Sequence, residues 1–337
     1  MMVLSEKLDN RRGISANRAP SFLGAIGKSA PSTRVPLPAT ELKENVQFLT
    51  DELNALRRDH SKLQQAVFEA AQIQRRLCAP RELTRGEFEI AGEIFPVRNL
   101  SGDFFKVIEL ESTLALALGD IAGKGMTAGI WQPHVMGLVQ RSARLHANPA
   151  DAVAEVNREL CREHDTPPLT ALFFARVEPR TNQLVYCNAG LPAPLLLRAN
   201  KSLERLDHGG PMLGAVPTAA FQSGSITLHP GDMLVAYSDG VTECRNPQDD
   251  EFEMERLTAA VASVAGVNAT KALFSLLATV LDFAGSCSPG DDVTLLVIRR
   301  RDALNSEPRP NHFAGPQRPK PSGSRPKRSN RGGHSPK

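Results

Sequence analysis

The order of the apolar runs constrains this chain more than any other feature. Between residues 86 and 301, seven runs rich in Val, Leu, Ile and Phe have the length and flanking turns of strands: 88–95, 114–118, 171–177, 183–189, 194–198, 233–238 and 293–298. Stretches rich in Ala, Leu and Val predict helices over 126–146, 149–164, 251–264 and 268–284. The strands cluster and the helices come in consecutive pairs, whereas a doubly wound parallel sheet alternates the two. The pattern predicts an α+β domain with mainly antiparallel sheets.

The flanks differ in kind. Leu42, Leu49, Leu56, Leu63, Ala70 and Leu77 recur every seven residues, and Val46, Leu53, His60, Val67 and Gln74 fill the alternate position until Pro80 ends the run. His60 and Gln74 weaken this seam. Residues 41–80 are predicted to be a coiled-coil or linker helix, which either pairs with a second copy over 41–78 or packs on its own domain. The charges at Arg57, Arg58, Asp59 and Lys62 crowd the remaining face and favour a homodimer. Residues 1–40 and 302–337 lack periodicity and are rich in Ser, Pro, Gly and Arg, so they read as a disordered basic arm and tail around a domain at 81–301.

Charge follows the same division. The net charge is +3, but the tail carries eight Lys/Arg against Asp302 and Glu307, and the arm six against Glu6 and Asp9, which leaves −7 for residues 41–301. Such a body favours cations over polyanions. The tail's RPKRSNR run offers nucleic-acid contact, but its composition gives a solubilising role the greater weight. No stretch approaches the about 20 apolar residues of a membrane span, the start lacks a secretory apolar core, and the five cysteines form no CxxC pair. A reduced, cytoplasmic chain without a zinc ribbon is expected. GAIGKS at 24–29 fails as a phosphate-binding loop because residue 22 is Phe22 and no strand leads into it.

The acids fall at strand ends. Asp120 follows LALALG, Asp239 follows MLVAYS, Asp291 and Asp292 precede VTLLVI, and Asp103 precedes a further apolar stretch; Gly102, Gly119, Gly240 and Gly290 stand beside them. In an antiparallel sheet the end of one strand lies beside the start of its neighbour, so these carboxylates can converge at one edge. Converged carboxylates need a cation among them, and hard oxygen donors select magnesium or manganese. Equally, Asp beside Gly is a good turn former, and from the residues alone both readings stand.

A similarity that runs through the whole strand-and-helix region bears on that choice. AAQIQRRLCAP, LSGDFFKV, ALGDIAGKGMTAGI, LTALFFARVEP, LVYCNAGLPAPLLLR, GGPMLGAVP, LHPGDMLVAYSDGVTECRN and GDDVTLLVIRR occur in the order found in the bacterial metal-dependent serine/threonine phosphatases of the PPM family, SpoIIE/RsbU type, which the region 80–300 resembles. The resemblance implies an α-β-β-α sandwich of two mainly antiparallel sheets and two Mn2+ or Mg2+ ions. It implies that Asp120 bridges both ions and, with Asp239, carries catalysis; the Ile121 carbonyl, Asp239 and Asp291 add ligands, and Asp103 holds the other side. Asp292 is the alternative to Asp291. The implied substrate is a phosphoserine or phosphothreonine protein, a STAS-domain antagonist of an anti-sigma factor in a partner-switching pathway; the alternative is a catalytically weak or inactive scaffold of the same fold. In relatives, the helix leading into the domain reorganises metal ligands, so removal of 41–78 is expected to change turnover more than folding.

The chain departs from that family in places. Ser101 replaces a glycine, Lys106 an acid and Leu191 a histidine, while Ala122 stands where larger relatives carry a histidine proposed as general acid. No arginine is assigned to the phosphate. These departures predict modest, metal-reliant activity, with Lys106 weakening metal affinity or altering substrate contact. The GKG at 123–125 reads as a turn into the next helix. No HExxH, HxxxH or GxSxG is present, against zinc or serine hydrolysis.

Overall fold

The computed structural model describes residues 39–78, 80–163 and 166–302. The arm up to residue 38, with GAIGKS, and the tail from 303 lie outside the described residues. In chain order the elements are α1 (Ala39–Leu77), β1 (Glu82–Arg85), β2 (Phe88–Phe95), β3 (Phe104–Glu109), β4 (Leu114–Ile121), α2 (Met126–Leu145), α3 (Pro149–Glu163), β5 (Thr170–Glu178) and β6 (Gln183–Ala189). There follow β7 (Leu195–Leu197), β8 (Leu203–Arg205), β9 (Gly209–Gly210), β10 (Gly224–Thr227), β11 (Met233–Tyr237), α4 (Asp239–Thr242), α5 (Glu253–Ser263), α6 (Ala269–Ala284) and β12 (Val293–Arg300).

Two sheets form. The first runs β1-β2-β12-β11-β7-β8 and the second β10-β6-β5-β4-β3. Every pair along both paths is antiparallel, and only β9 joins β6 in parallel. The α+β sandwich expected from the sequence is present, and each of the seven expected strands is found. Of the five further strands, β1, β3, β8 and β10 are sheet edges. Edge strands need fewer apolar positions, as the half-buried alternation of β1 and β10 shows.

Residue alternation assigns the two faces of each strand. Leu234 and Ala236 of β11 and Leu296 and Ile298 of β12 share one core with Leu116 and Leu118 of β4 and Phe173 of β5, between the sheets. Their neighbours Val235, Tyr237, Leu295 and Val297 form a second core with Leu257, Val261, Leu273 and Val280 of α5 and α6. Val135, Val139, Val153 and Leu160 of α2 and α3 cover the second sheet. Central strands buried on both faces read as continuous apolar runs, which is why they were visible in the sequence. Each fully buried Leu, Ile or Phe contributes roughly 1.5–3 kcal/mol.

The chain divides into two compact units after His60, so the first described unit is the N-terminal part of α1 alone. Its heptad side chains Val46, Leu49, Leu53 and Leu56 are exposed, as is Leu63 beyond it. The end of α1 behaves differently: Ala71, Gln74 and Cys78, at helical spacing, are buried in the second unit. Gln74, a weak seam position in the sequence, is a docking residue. Its Nε2 donates to Ser101 O at 2.9 Å and Gly129 O at 3.3 Å, and its Oε1 accepts from Ser101 N at 3.0 Å. No described helix is long and apolar enough to cross a membrane.

Candidate active site

Antiparallel pairing brings strand ends together twice, once in each sheet. In the second sheet Phe104 pairs with Gly119, so Asp103, just before β3, comes beside Asp120 near the end of β4. In the first sheet Tyr237 pairs with Leu295, so Asp239, just after β11, comes beside the Asp291–Asp292 start of β12. Sandwich packing then brings the two pairs together. The sequence reading had placed them at one edge of one sheet; they stand instead at facing ends of two sheets.

Specific contacts lock the junction. Thr294 Oγ1 of β12 donates to Asp103 Oδ2, and Asp292 accepts from Val97 N at 2.8 Å and Gly102 N at 3.2 Å. Ser238 Oγ donates to Asp292 O at 3.2 Å and accepts from Thr294 N at 3.1 Å. A Cβ on Gly240 would stand 2.1 Å from Asp292 O, so the SDG and GDD loops meet only with glycine at that position. Gln132 Nε2 of α2 donates to Asp103 O at 2.6 Å, which fixes the backbone at the opposite rim.

Electrostatics marks the cluster as under tension. Burial, then the charge of Asp120, holds the Asp103 carboxyl well above the ordinary range despite the Thr294 and Ser238 hydrogen bonds. Asp120 is pushed up to about 6, first by burial and then by Asp239, with Asp291 and Asp292 adding. Asp239 is raised by burial and then by Asp291. Glu243, which sequence reasoning did not single out, is raised by burial and then by Asp239, so it borders the same site.

The two adjacent acids have different tasks. Asp292 is buried and spends both oxygens on backbone amides. Asp291 is partly exposed, faces Asp239, and its Oδ2 lies 2.8 Å from Lys124 Nζ. Among the described residues no three of these side chains close into a ready-made ion cage. The donors nonetheless fit a hard divalent cation, since all are carboxylate oxygens joined by the Ile121 carbonyl. A Cβ at residue 102 would lie 2.8 Å from Ile121 O and 3.7 Å from Asp120 Oδ1, so Gly102 keeps the space beside both clear.

Two residues change meaning. Lys106, expected to touch metal or substrate, donates from Nζ to Leu77 O and so holds the end of α1. Arg98, absent from the sequence reading, is exposed and lies over Gly125, with Nη1 and Cδ 3.6 Å from where a Cβ there would stand. It occupies the loop that Asp292 clamps and adds positive charge beside Lys124. Its place just ahead of SGD, in the same loop, was the available signal.

Stacked antiparallel sheets, outer helices and acidic strand ends meeting between the sheets define the PP2C-type phosphatase fold. The SiaA-PP2C domain of Pseudomonas aeruginosa matches with a TM-score of 0.63 at 17% identity, over 72% of this chain and 98% of that one. Residues 111–301 match the family described as Stage II sporulation protein E (SpoIIE), and the chain belongs to that family. It is 26% identical to Protein IcfG of Synechocystis sp., over 64% of this chain and 38% of that protein. To the phosphoserine phosphatase RsbU of Bacillus subtilis it is 23% identical, over 74% of each.

Proposed function

We propose that this chain is a protein serine/threonine phosphatase in which Asp103, Asp120, the Ile121 carbonyl, Asp239 and Asp291 hold two divalent cations, Mn2+ or Mg2+. The observation that carries this reading is the meeting of Asp120 with Asp239 across two sheets, close enough for the Asp239 charge to raise the proton affinity of Asp120. An acidic cluster built at such electrostatic cost is accounted for by cation binding. Such ions, when bound, would supply a water of lowered pKa and neutralise charge on the phosphoryl oxygens.

The chain's own residues do the rest. Asp120, flanked by Asp103 and Asp239, would be the central ligand, with Asp291 beside Asp239 adding a further carboxylate. Asp292 keeps its two amides and serves as a positioning residue. Arg98 at the mouth donates to non-bridging phosphate oxygens and orients the phosphorus. The bond from phosphorus to the serine oxygen breaks, the oxygen of water replaces it, and the serine leaves as a hydroxyl. Ala122 offers no proton, so the leaving oxygen takes it from water.

The substrate in this reading is a phosphorylated STAS-domain antagonist of an anti-sigma factor, within a partner-switching pathway, and membership of the family supports it. The name of the B. subtilis relative, phosphoserine phosphatase, supports the phosphoserine part. The exposed heptad side chains of α1, Val46, Leu49, Leu53, Leu56 and Leu63, support a homodimer through 41–78.

The test is hydrolysis of p-nitrophenyl phosphate and of a phosphoserine protein, with manganese and with chelator, by the native chain and by Asp120→Asn and Asp239→Asn. Activity is expected only with metal. Each variant should lose more than the roughly 10–100-fold that outer-shell changes cost, with an unaltered circular dichroism spectrum. Full activity in either variant, or in chelator, overturns the reading.

A further inference from the structure

The GKG segment at 123–125 does more than turn the chain into α2. Gly123 has φ 119° and Gly125 φ 69°, both in the region that favours glycine. A Cβ on Gly123 would meet nothing nearer than 3.9 Å, so glycine there serves backbone conformation and not tight packing. Between the two glycines the Lys124 side chain reaches from the β4 side of the site to the β12 side. Its Nζ lies 2.8 Å from Asp291 Oδ2 and donates to Gly290 O at 3.0 Å. Asp291 raises the ammonium's proton affinity, which keeps it charged, and Asp239 adds to that while Arg98 opposes it.

We propose that Lys124 is a built-in counter-cation: its ammonium holds Asp291 until a divalent ion takes that carboxylate, so Lys124 sets the ion affinity of the site. This rests on the metal-site reading above. An ammonium and a divalent ion drawn to one carboxylate repel each other, and uptake of the ion therefore breaks the lysine contact. The exchange is reversible because both side chains are about half exposed, at 50% and 42%, and the displaced ammonium stays hydrated. The two glycines give the side chain its aim, and its long stem allows it to swing aside.

Calorimetric titration of the full chain with Mn2+ in low salt tests this, using Lys124→Met, Lys124→Gln and the charge-keeping Lys124→Arg. Lys124→Met and Lys124→Gln should bind the ion roughly five-fold tighter than the native chain, a gap that shrinks in 0.5 M salt, while Lys124→Arg stays within about two-fold. In chelator, the two neutral variants should melt below the native protein, because the acids have lost their counter-charge. Equal or weaker ion affinity in the neutral variants overturns the proposal, as does equal tightening in Lys124→Arg, which would make loop packing the cause. Absence of ion uptake by the native chain is a different failure: it removes the metal-site reading and this inference with it.

Discussion

Asp291 and Asp292 are chemically identical neighbours, and their surroundings separate them. Asp292 satisfies the amides of Val97 and Gly102, so Asp292→Ala leaves one buried and one half-buried donor without a charged acceptor. That loss should cost about 2–4 kcal/mol, lowering Tm by several degrees or more for a domain of this size. Asp291→Ala should leave Tm within a few degrees of native while abolishing phosphatase activity. Thermal melts and a p-nitrophenyl phosphate assay on both variants decide this, and a native-like melt for Asp292→Ala would contradict the division of labour. Under the proposed role of holding phosphate at the rim, Arg98→Ala should raise KM for a phosphoprotein more than it lowers kcat. An unchanged KM would remove it from the site.

The junction of α1 with α2 is where an element's local chemistry reaches the site. Pro133 lies inside α2 and has no N–H, so the Gly129 carbonyl four residues earlier lacks its helical donor. Gln74 of α1 donates to that carbonyl, and with its other hydrogen bonds clamps Ser101, two residues before Asp103. Gln74→Ala should therefore lower both Tm, by about 1–3 kcal/mol of stability, and turnover. Removing residues 39–60 should leave the domain's melt unchanged and abolish dimers in sedimentation analysis, whereas a cut through residue 78 strips Ala71, Gln74 and Cys78 from their burial sites. The expectation that losing 41–78 changes turnover more than folding therefore applies most directly to the part of α1 before Ala71. A dimer that persists without residues 39–60 would assign self-association elsewhere.

At the scale of the molecule, the acidic junction couples stability to pH and to metal. Asp120 titrates at about 6 in the folded chain and near 3.9 when unfolded, so between those values the folded state holds a proton that the unfolded state has released. Its contribution is fully present below about pH 4 and is lost as pH rises through 6; Asp103 acts in the same direction. In chelator, Asp120→Asn should therefore gain Tm over the native protein as pH goes from 5 to 7.5, and manganese should raise the native Tm at pH 7.5. A constant difference across that range would deny the coupling. By itself the sequence determined the strand and helix order and which acids end strands, because period-2 and helical burial are local patterns and Asp-Gly steps mark where strands stop. It pointed to Asp120 and Asp239 without showing that their strands lie in different sheets. Only the packing of one sheet on the other decided that the two pairs meet, that Asp292 is buried on backbone amides while Asp291 stands beside Lys124, and that Arg98, Lys124 and Gln74 lie around them. Those contacts join residues far apart in the chain, and no local periodicity records them.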